Sequence, residues 1–156
     1  MLLKLRQRMA SEESGFTLVE LLVVMLIIGL LAAIAIPSFF NQRDKAYDAN
    51  AKEQARTAET AMETYATDNG GVYTGATTAK LVQIENSLTD TVSTTKPYLS
   101  AAAAAGANNK GWTVTVTSPK TGNTFTISRD ETTSQLSFTC TTGGTAGCPT
   151  GGTWAQ

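Results

Sequence analysis

An uninterrupted apolar segment near the N-terminus dominates this sequence of 156 residues. It covers the 21 residues from Phe16 to Ile36 and contains a single charged side chain, Glu20. A helix of this length rises roughly 30 Å, which matches the hydrocarbon thickness of a bilayer. Because the segment is apolar around its whole circumference, it requires cover on every side, from lipid or from other apolar helices. Glu20 is the exception, since an ionised side chain in such a segment is costly and usually has a function.

Two simpler interpretations of this segment remain open from the residues themselves. Lys4, Arg6 and Arg8 precede it and would form the basic region of an ordinary secretory signal peptide, with Ala33 to Ala35 as its small-residue cleavage site. The apolar run is long for a signal peptide, however, and contains an acid. The second interpretation is a plain membrane anchor, in which Glu20 lies near enough to the helix start to favour the helix dipole.

The residues at the start of the run resemble a known N-terminus. The pattern Gly-Phe-Thr-Leu-Val-Glu, from Gly15 to Glu20, is similar to that of type IV prepilins and the related pseudopilins. The resemblance implies that residues 1–15 are a leader peptide and that prepilin peptidase cleaves after Gly15. It further implies that Phe16 becomes the N-methylated first residue of the mature chain and that Glu20 acts in subunit assembly.

The sequence divides into five predicted segments. The leader, residues 1–15, precedes a helix whose first half, residues 16–37, spans the membrane or forms the filament core. The second half of this helix, residues 38–69, is predicted to be amphipathic. Residues 70–111 are a connecting region with one short helix, and residues 112–156 form an antiparallel sheet with a disulfide-closed tail.

The second half of the long helix has a composition that favours helix and one predicted buried face. Pro37 removes a backbone hydrogen bond, so a bend is expected there, and Gly29 is a second point of helix flexibility, as the resemblance also implies. We expect Asp48 and Lys52 to form an i,i+4 ion pair on the exposed side. The predicted buried stripe recurs at three- and four-residue spacing, or multiples of it, and comprises Phe40, Tyr47, Ala51, Ala55, Ala58, Met62, Tyr65 and Ala66.

Three alternating segments near the C-terminus predict a half-buried antiparallel sheet. Residues 112–117, 123–128 and 135–139 place apolar side chains at every second position and mostly threonines between them. The alanines at 101–105 are predicted to form a helix turn or to act as small packing filler. The predicted fold class is therefore α+β, with the long N-terminal helix packed on a small sheet of three to four antiparallel strands, which is also the pilin fold.

Two cysteines, Cys140 and Cys148, follow the third predicted strand. A small exported domain would pair them, and closing so short a loop contributes roughly 2–3 kcal/mol in the chain-entropy model. Free thiols or half of a metal site are the alternatives, although no His and no further Cys support a metal. Asp130 and Glu131 are a weak calcium candidate, since major secretion pseudopilins bind calcium in their C-terminal region, but two acids in a turn are more often simply solvated.

The same composition argues against catalysis and nucleic-acid binding. The chain contains no His, which removes Ser-His and Cys-His catalysis. Its net charge is −1 and no basic patch is visible, so no dedicated nucleic-acid site is expected. We predict a structural protein with no catalytic residue, no cofactor and no metal site.

The predicted function is that of a type IV pilus subunit. The resemblance implies a single-pass precursor in the inner membrane with its C-terminal domain outside, which then polymerises through the N-terminal helix into an extracellular filament. Its partners would be identical subunits, prepilin peptidase, the pilus assembly platform with its motor, and membrane lipid before assembly. The alternatives are a pseudopilin or minor pilin of a type II secretion or DNA-uptake system, and, in a different class, a signal-anchored surface binding module.

Overall fold

One helix of 51 residues, α1 (Leu18–Asp68), occupies the N-terminal half of the computed structural model, which describes residues 15–141 and 143–154. A short helix, α2 (Thr78–Ile84), and four strands follow, in the order β1 (Tyr98–Ala105), β2 (Gly111–Thr117), β3 (Thr124–Arg129) and β4 (Leu136–Cys140). The α+β prediction is confirmed. The predicted leader, apart from Gly15, lies outside the described residues.

The chain divides into two units, Met1–Phe39 and Phe40–Gln156, which we call the apolar unit and the globular unit. In the apolar unit, the large apolar side chains from Phe16 to Ile36 are all solvent-exposed, from 46% at Val24 to 81% at Phe16. By length and composition α1 qualifies as a membrane-spanning helix. α1 continues through Pro37 without interruption, so the bend expected there stays a prediction.

In the globular unit, the buried face of α1 consists almost entirely of alanines. Five Ala side chains and Met62 are buried, all of them members of the predicted stripe except Ala61, while Tyr47 and Tyr65 of that stripe are only partly buried. Because alanine has only a methyl group, the helix backbone approaches the sheet closely, and larger side chains on the sheet fill the remaining space. The prediction was wrong for Phe40, whose side chain is exposed. The alanines are Ala51, Ala55, Ala58, Ala61 and Ala66.

The four strands form one antiparallel sheet in sequential order, β1-β2-β3-β4. Val114 pairs with Ile127, which pairs with Phe138, so apolar side chains of neighbouring strands stack on one face. The threonines between them occupy the opposite face. The three predicted strands are β2, β3 and β4. The largest sheet residues in the core are Trp112, Val114, Val116, Phe125 and Ile127.

The alanine run forms a strand, so the prediction of a helix turn there was wrong, whereas Ala102 and Ala104 do act as small packing residues against the core. Ala101 to Ala105 lie in β1 and pair with residues from Thr115 back to Gly111 on β2. Alanine favours helix by intrinsic propensity. Here that preference is overridden because β2 presents an alternating strand whose backbone groups require partners on this side.

α1 ends at Asp68, shortly before two glycines, Gly70 and Gly71, which stop the helix. Gly70 and Gly71 both adopt positive φ, and the Gly71 amide donates to the Ala66 carbonyl at 2.8 Å. A side chain with a Cβ would be strained at these angles, so glycine at these positions permits the turn that ends the helix.

Candidate functional site

The three described residues that precede α1 are exposed and irregular. Residues 15–17 have no regular secondary structure, and Gly15 and Phe16 are both exposed. Among the described residues, no atom outside its chain neighbours lies within 4 Å of the position that a Cβ on Gly15 would occupy. No described part of the chain therefore covers the Gly15–Phe16 peptide bond, which the prepilin resemblance marks as the cleavage point.

Glu20 lies in the first turn of α1, where Thr17 forms the N-terminal cap. The Thr17 hydroxyl accepts a hydrogen bond from the Glu20 amide at 3.1 Å, and the Thr17 carbonyl accepts one from the Leu21 amide at 3.2 Å. The Thr17-x-x-Glu20 spacing is that of a capping box. A carboxylate in the first turn also interacts favourably with the helix dipole. The backbone amide of Glu20 thus takes part in the N-terminal cap, and its carboxylate lies where the helix dipole favours a negative charge.

Gly29 and Pro37, the two predicted flexibility positions, both lie inside α1. A Cβ on Gly29 would meet no atom within 4 Å in the described ranges 15–141 and 143–154, so packing within these ranges does not require glycine there. Close approach of a neighbouring helix or local loosening of α1 would both explain a glycine at this position. The assignment of these two residues to helix flexibility stays a proposal.

The structure contains the disulfide between Cys140 and Cys148 that the sequence predicts, with the two Cα atoms 5.9 Å apart. The tail that follows returns to the sheet beside β4. The Cys140 amide donates to the Gly152 carbonyl at 2.7 Å, and Trp154 Nε1 donates to the Thr139 carbonyl at 2.8 Å. The Trp154 ring meets the Phe125 ring edge-on at 5.8 Å between centroids. The tail therefore extends the sheet and its core.

Asp48 is the main feature that sequence reasoning missed. The prediction of an exposed ion pair with Lys52 was wrong, because Asp48 is fully buried. Its carboxylate accepts hydrogen bonds from the Thr121 hydroxyl, from Asn123 Nδ2 at 2.6 Å and from the Gly147 amide at 2.8 Å. The signal available in the sequence was its position one turn before Ala51 on the apolar stripe.

A second polar cluster joins α1 to the other end of the sheet. Glu63 accepts hydrogen bonds from Trp112 Nε1 at 3.0 Å and from the Tyr73 hydroxyl at 2.8 Å, and it pairs with Arg129 at 3.2 Å. Burial raises the pKa of Tyr73, and the hydrogen bond to Glu63 raises it further. Trp112 is itself fully buried, so Glu63 satisfies an indole N–H that has no access to water.

Replacing Glu63 by alanine should destabilise the globular unit by about 1–3 kcal/mol, because the Trp112 indole N–H loses its acceptor. Glu63→Gln retains an acceptor and should have a smaller effect. The measurement is thermal unfolding of the full-length chain in detergent, with the exposed Glu53→Ala as matched control, expected to change stability by less than about 0.5 kcal/mol. Equal losses for Glu63→Ala and Glu53→Ala would contradict the assignment.

The two acids considered for calcium are bound to backbone amides. The Glu131 carboxylate accepts from the amides of Ala107 and Asn108 at 2.8 and 2.6 Å, and it closes the β1–β2 turn. Asp130 accepts from the Thr133 amide at 2.7 Å, and the hydrogen bonds from Thr133 lower the pKa of Asp130. Both side chains therefore stabilise turns. Among the described residues there is no group of three or more His, Cys, Asp or Glu placed to hold a metal.

Comparison with known proteins matches the N-terminal region. A family model described as the prokaryotic N-terminal methylation motif matches residues 11–36. Type II secretion system core protein G of Pseudomonas aeruginosa is 38% identical over 58 residues, which cover 37% of this chain and 41% of that protein. The type IV major pilin protein PilA of Myxococcus xanthus is 40% identical over 58 residues, covering 37% of this chain and 26% of that protein.

A third relative, the type IV narrow pilus major component PilA5 of Thermus thermophilus, is 38% identical over 77 residues, covering 40% of this chain and 66% of that protein. The chain therefore spans less than two thirds of the length of each of these relatives. No solved structure matches the chain significantly.

Proposed function

Because this chain belongs to the type IV pilin-like family, we propose that it is the structural subunit of a type IV pilus. The precursor is held in the cytoplasmic membrane by the first part of α1, with the globular unit outside. Prepilin peptidase cleaves after Gly15, and Phe16 is N-methylated. The mature subunits then polymerise through α1 into an extracellular filament.

The observation that carries this proposal is the uncovered apolar surface of α1. Fifteen large apolar side chains between Phe16 and Ile36 are exposed in the single chain. Exposed apolar area of this extent is not stable in water and requires lipid or neighbouring subunits as cover. Lipid would cover this surface while the subunit is stored in the membrane, and neighbouring subunits would cover it after assembly.

The chemistry of assembly would depend on a charge pair. Cleavage after Gly15 creates a cationic amine on Phe16, and N-methylation retains its charge. This amine lies four residues before Glu20, so the two groups can pair within one helix or between neighbouring helices. Because an unpaired carboxylate in an apolar filament core would cost several kcal/mol, pairing between subunits would enforce their register more than it adds stability.

The disulfide in the globular unit is an argument that this part of the chain is exported. Disulfides form and persist outside the cytoplasm, and the Cys140–Cys148 bridge joins the sheet to the C-terminal tail. A signal-anchored surface module would also be exported, but it gives no reason for a glycine at position 15, directly before the apolar segment.

A second candidate function is that of a pseudopilin in a type II secretion system. The observation that favours it is the similarity to type II secretion system core protein G, which is as close in sequence as the similarity to the pilins. Both candidates share the processing and the helix-mediated assembly, and they differ in the length and location of the filament and in what the machinery transports.

Deletion of the gene, with complementation by the intact chain, distinguishes the two candidates. A pilus subunit should be the main component of filaments sheared from the cell surface, and the deletion should remove those filaments while protein secretion continues. Intact mass of the filament protein should correspond to residues 16–156 with one methyl group and one disulfide. Surface filaments that persist in the deletion strain, together with a loss of secreted proteins, would support the pseudopilin instead.

A further inference from the structure

The loop of residues 143–148, which we call the C-terminal loop, is bound to α1 through one glycine. The Gly147 amide donates to Asp48 Oδ2 at 2.8 Å, and the Gly147 carbonyl accepts from Lys52 Nζ at 2.6 Å. Two side chains one helical turn apart thus bind both backbone groups of a single residue. We propose that Asp48, Lys52 and Gly147 form a redox-dependent clamp, closed only while the Cys140–Cys148 disulfide is intact.

Asp48 depends on the loop for one of its hydrogen bonds. The carboxylate is fully buried in the globular unit, and its other two donors, Thr121 and Asn123, come from the β2–β3 connection. A buried carboxylate is costly unless its oxygens are satisfied. Removing the Gly147 amide therefore leaves one oxygen, Oδ2, with the Asn123 amide as its remaining donor, and favours entry of water beside α1.

Lys52 contributes to the clamp by donating a hydrogen bond to the Gly147 carbonyl and by lying beside two aromatic rings. Its ammonium lies 5.3 Å from the centre of the Phe125 ring and 5.8 Å from that of Trp154. Burial lowers the pKa of Lys52, and the neighbouring Asp48 carboxylate opposes this shift. The Lys52 ammonium therefore contacts the loop carbonyl and lies close to two aromatic rings, one on the sheet and one on the C-terminal tail.

Glycine at position 147 is required by the close approach of the helix. A Cβ on Gly147 would lie 2.5 Å from the Asp48 Cβ, which is closer than two carbon atoms approach without displacement. The loop also has internal hydrogen bonds, from the Gly144 amide to the Cys148 carbonyl at 2.9 Å and from the Cys148 amide to the Thr145 carbonyl at 3.0 Å. This compact turn presents Gly147 to α1.

The disulfide controls the clamp because Cys148 is the direct neighbour of Gly147. A dithiol reductant transfers two electrons and two protons to the bridge, which becomes two thiols while the reductant becomes a cyclic disulfide. Without the bridge, the segment from Cys140 to Cys148 regains conformational freedom, and ordering it against α1 becomes less favourable. Reduction should therefore open the clamp, and oxidation outside the cytoplasm should close it.

Hydrogen exchange of the full-length chain in detergent tests the clamp. Peptides covering residues 143–150 should exchange at least tenfold faster after treatment with dithiothreitol. In oxidised Asp48→Asn the same peptides should already exchange faster, and reduction should add little, because the two changes act on one contact. The matched control is Asp68→Asn, an exposed acid near the end of α1, which should respond to reduction as the unchanged chain does.

Two results would overturn the proposal. One is a loop that stays protected in the reduced chain, and the other is a reduction effect of equal size in Asp48→Asn and in the unchanged chain. If Asp48→Asn does not fold, Gly147→Ala replaces it. That variant keeps the buried carboxylate but displaces the loop, and it should show fast exchange in the oxidised state. Protection of the loop in oxidised Gly147→Ala would equally contradict the clamp.

Discussion

Replacing Glu20 by leucine should leave the precursor inserted and its globular unit folded, but should reduce filaments to a small fraction of the normal amount. Glu20 belongs to the apolar unit, whereas the core built on Trp112 belongs to the globular unit. Membrane storage should not be impaired, since leucine favours insertion and an acid costs up to about 3 kcal/mol at the centre of a membrane helix, with a smaller cost near its end, where Glu20 lies. Assembly should fail because each Phe16 amine in the filament core loses its partner.

The measurement is the ratio of the membrane pool to the sheared filament fraction, with disulfide formation as the check that the globular unit folds. Glu20→Gln keeps the size and the hydrogen-bonding atoms but removes the charge, so it should fail in the same way. Glu20→Asp keeps the charge on a shorter side chain and should assemble better than either. Normal filament levels with Glu20→Leu would contradict the assembly role and leave Glu20 only as an acid in the first turn of α1, where it interacts with the helix dipole.

Replacing Gly15 by leucine should leave the precursor uncut in the membrane and should abolish filaments. No atom of the residues that the structure describes restricts a side chain at this position, so this part of the chain tolerates the change. The effect should therefore come from exclusion of the larger side chain by the peptidase. The measurement is intact mass of the membrane-bound chain, which should retain residues 1–15.

Gly29→Leu is the matched control for this prediction. A Cβ at Gly29 also meets nothing within 4 Å, yet this residue lies inside the helix, away from the cleavage point, so the variant should be cut normally. Normal cleavage of Gly15→Leu would contradict the assigned site. A mature chain that begins near Ile36 would support an ordinary signal peptide in its place.

Local patterns in the sequence determined most of the element types. The run from Phe16 to Ile36 predicts an apolar helix because apolar residues occupy its whole circumference, with Thr17 and Glu20 near its start as the exceptions. The alternation around Val114 and Phe125 predicts strands because side chains on a strand point to opposite faces in turn. Gly70 predicts the end of the helix because a residue with no Cβ adopts positive φ without strain. Each of these signals is complete within a few neighbouring residues.

The tertiary structure decided the features that depend on distant partners. Asp48 and Lys52 have the spacing of an exposed pair, but the groups that bury and satisfy Asp48, on Asn123 and Gly147, lie 75 and 99 residues further along the chain. The alanines from Ala101 onward favour helix locally and become a strand only because β2 lies beside them. Local propensities differ by less than about 1 kcal/mol per residue, whereas leaving a buried carboxylate or a buried strand edge without hydrogen-bond partners costs several kcal/mol. The long-range contacts that satisfy these groups therefore prevail over local preference.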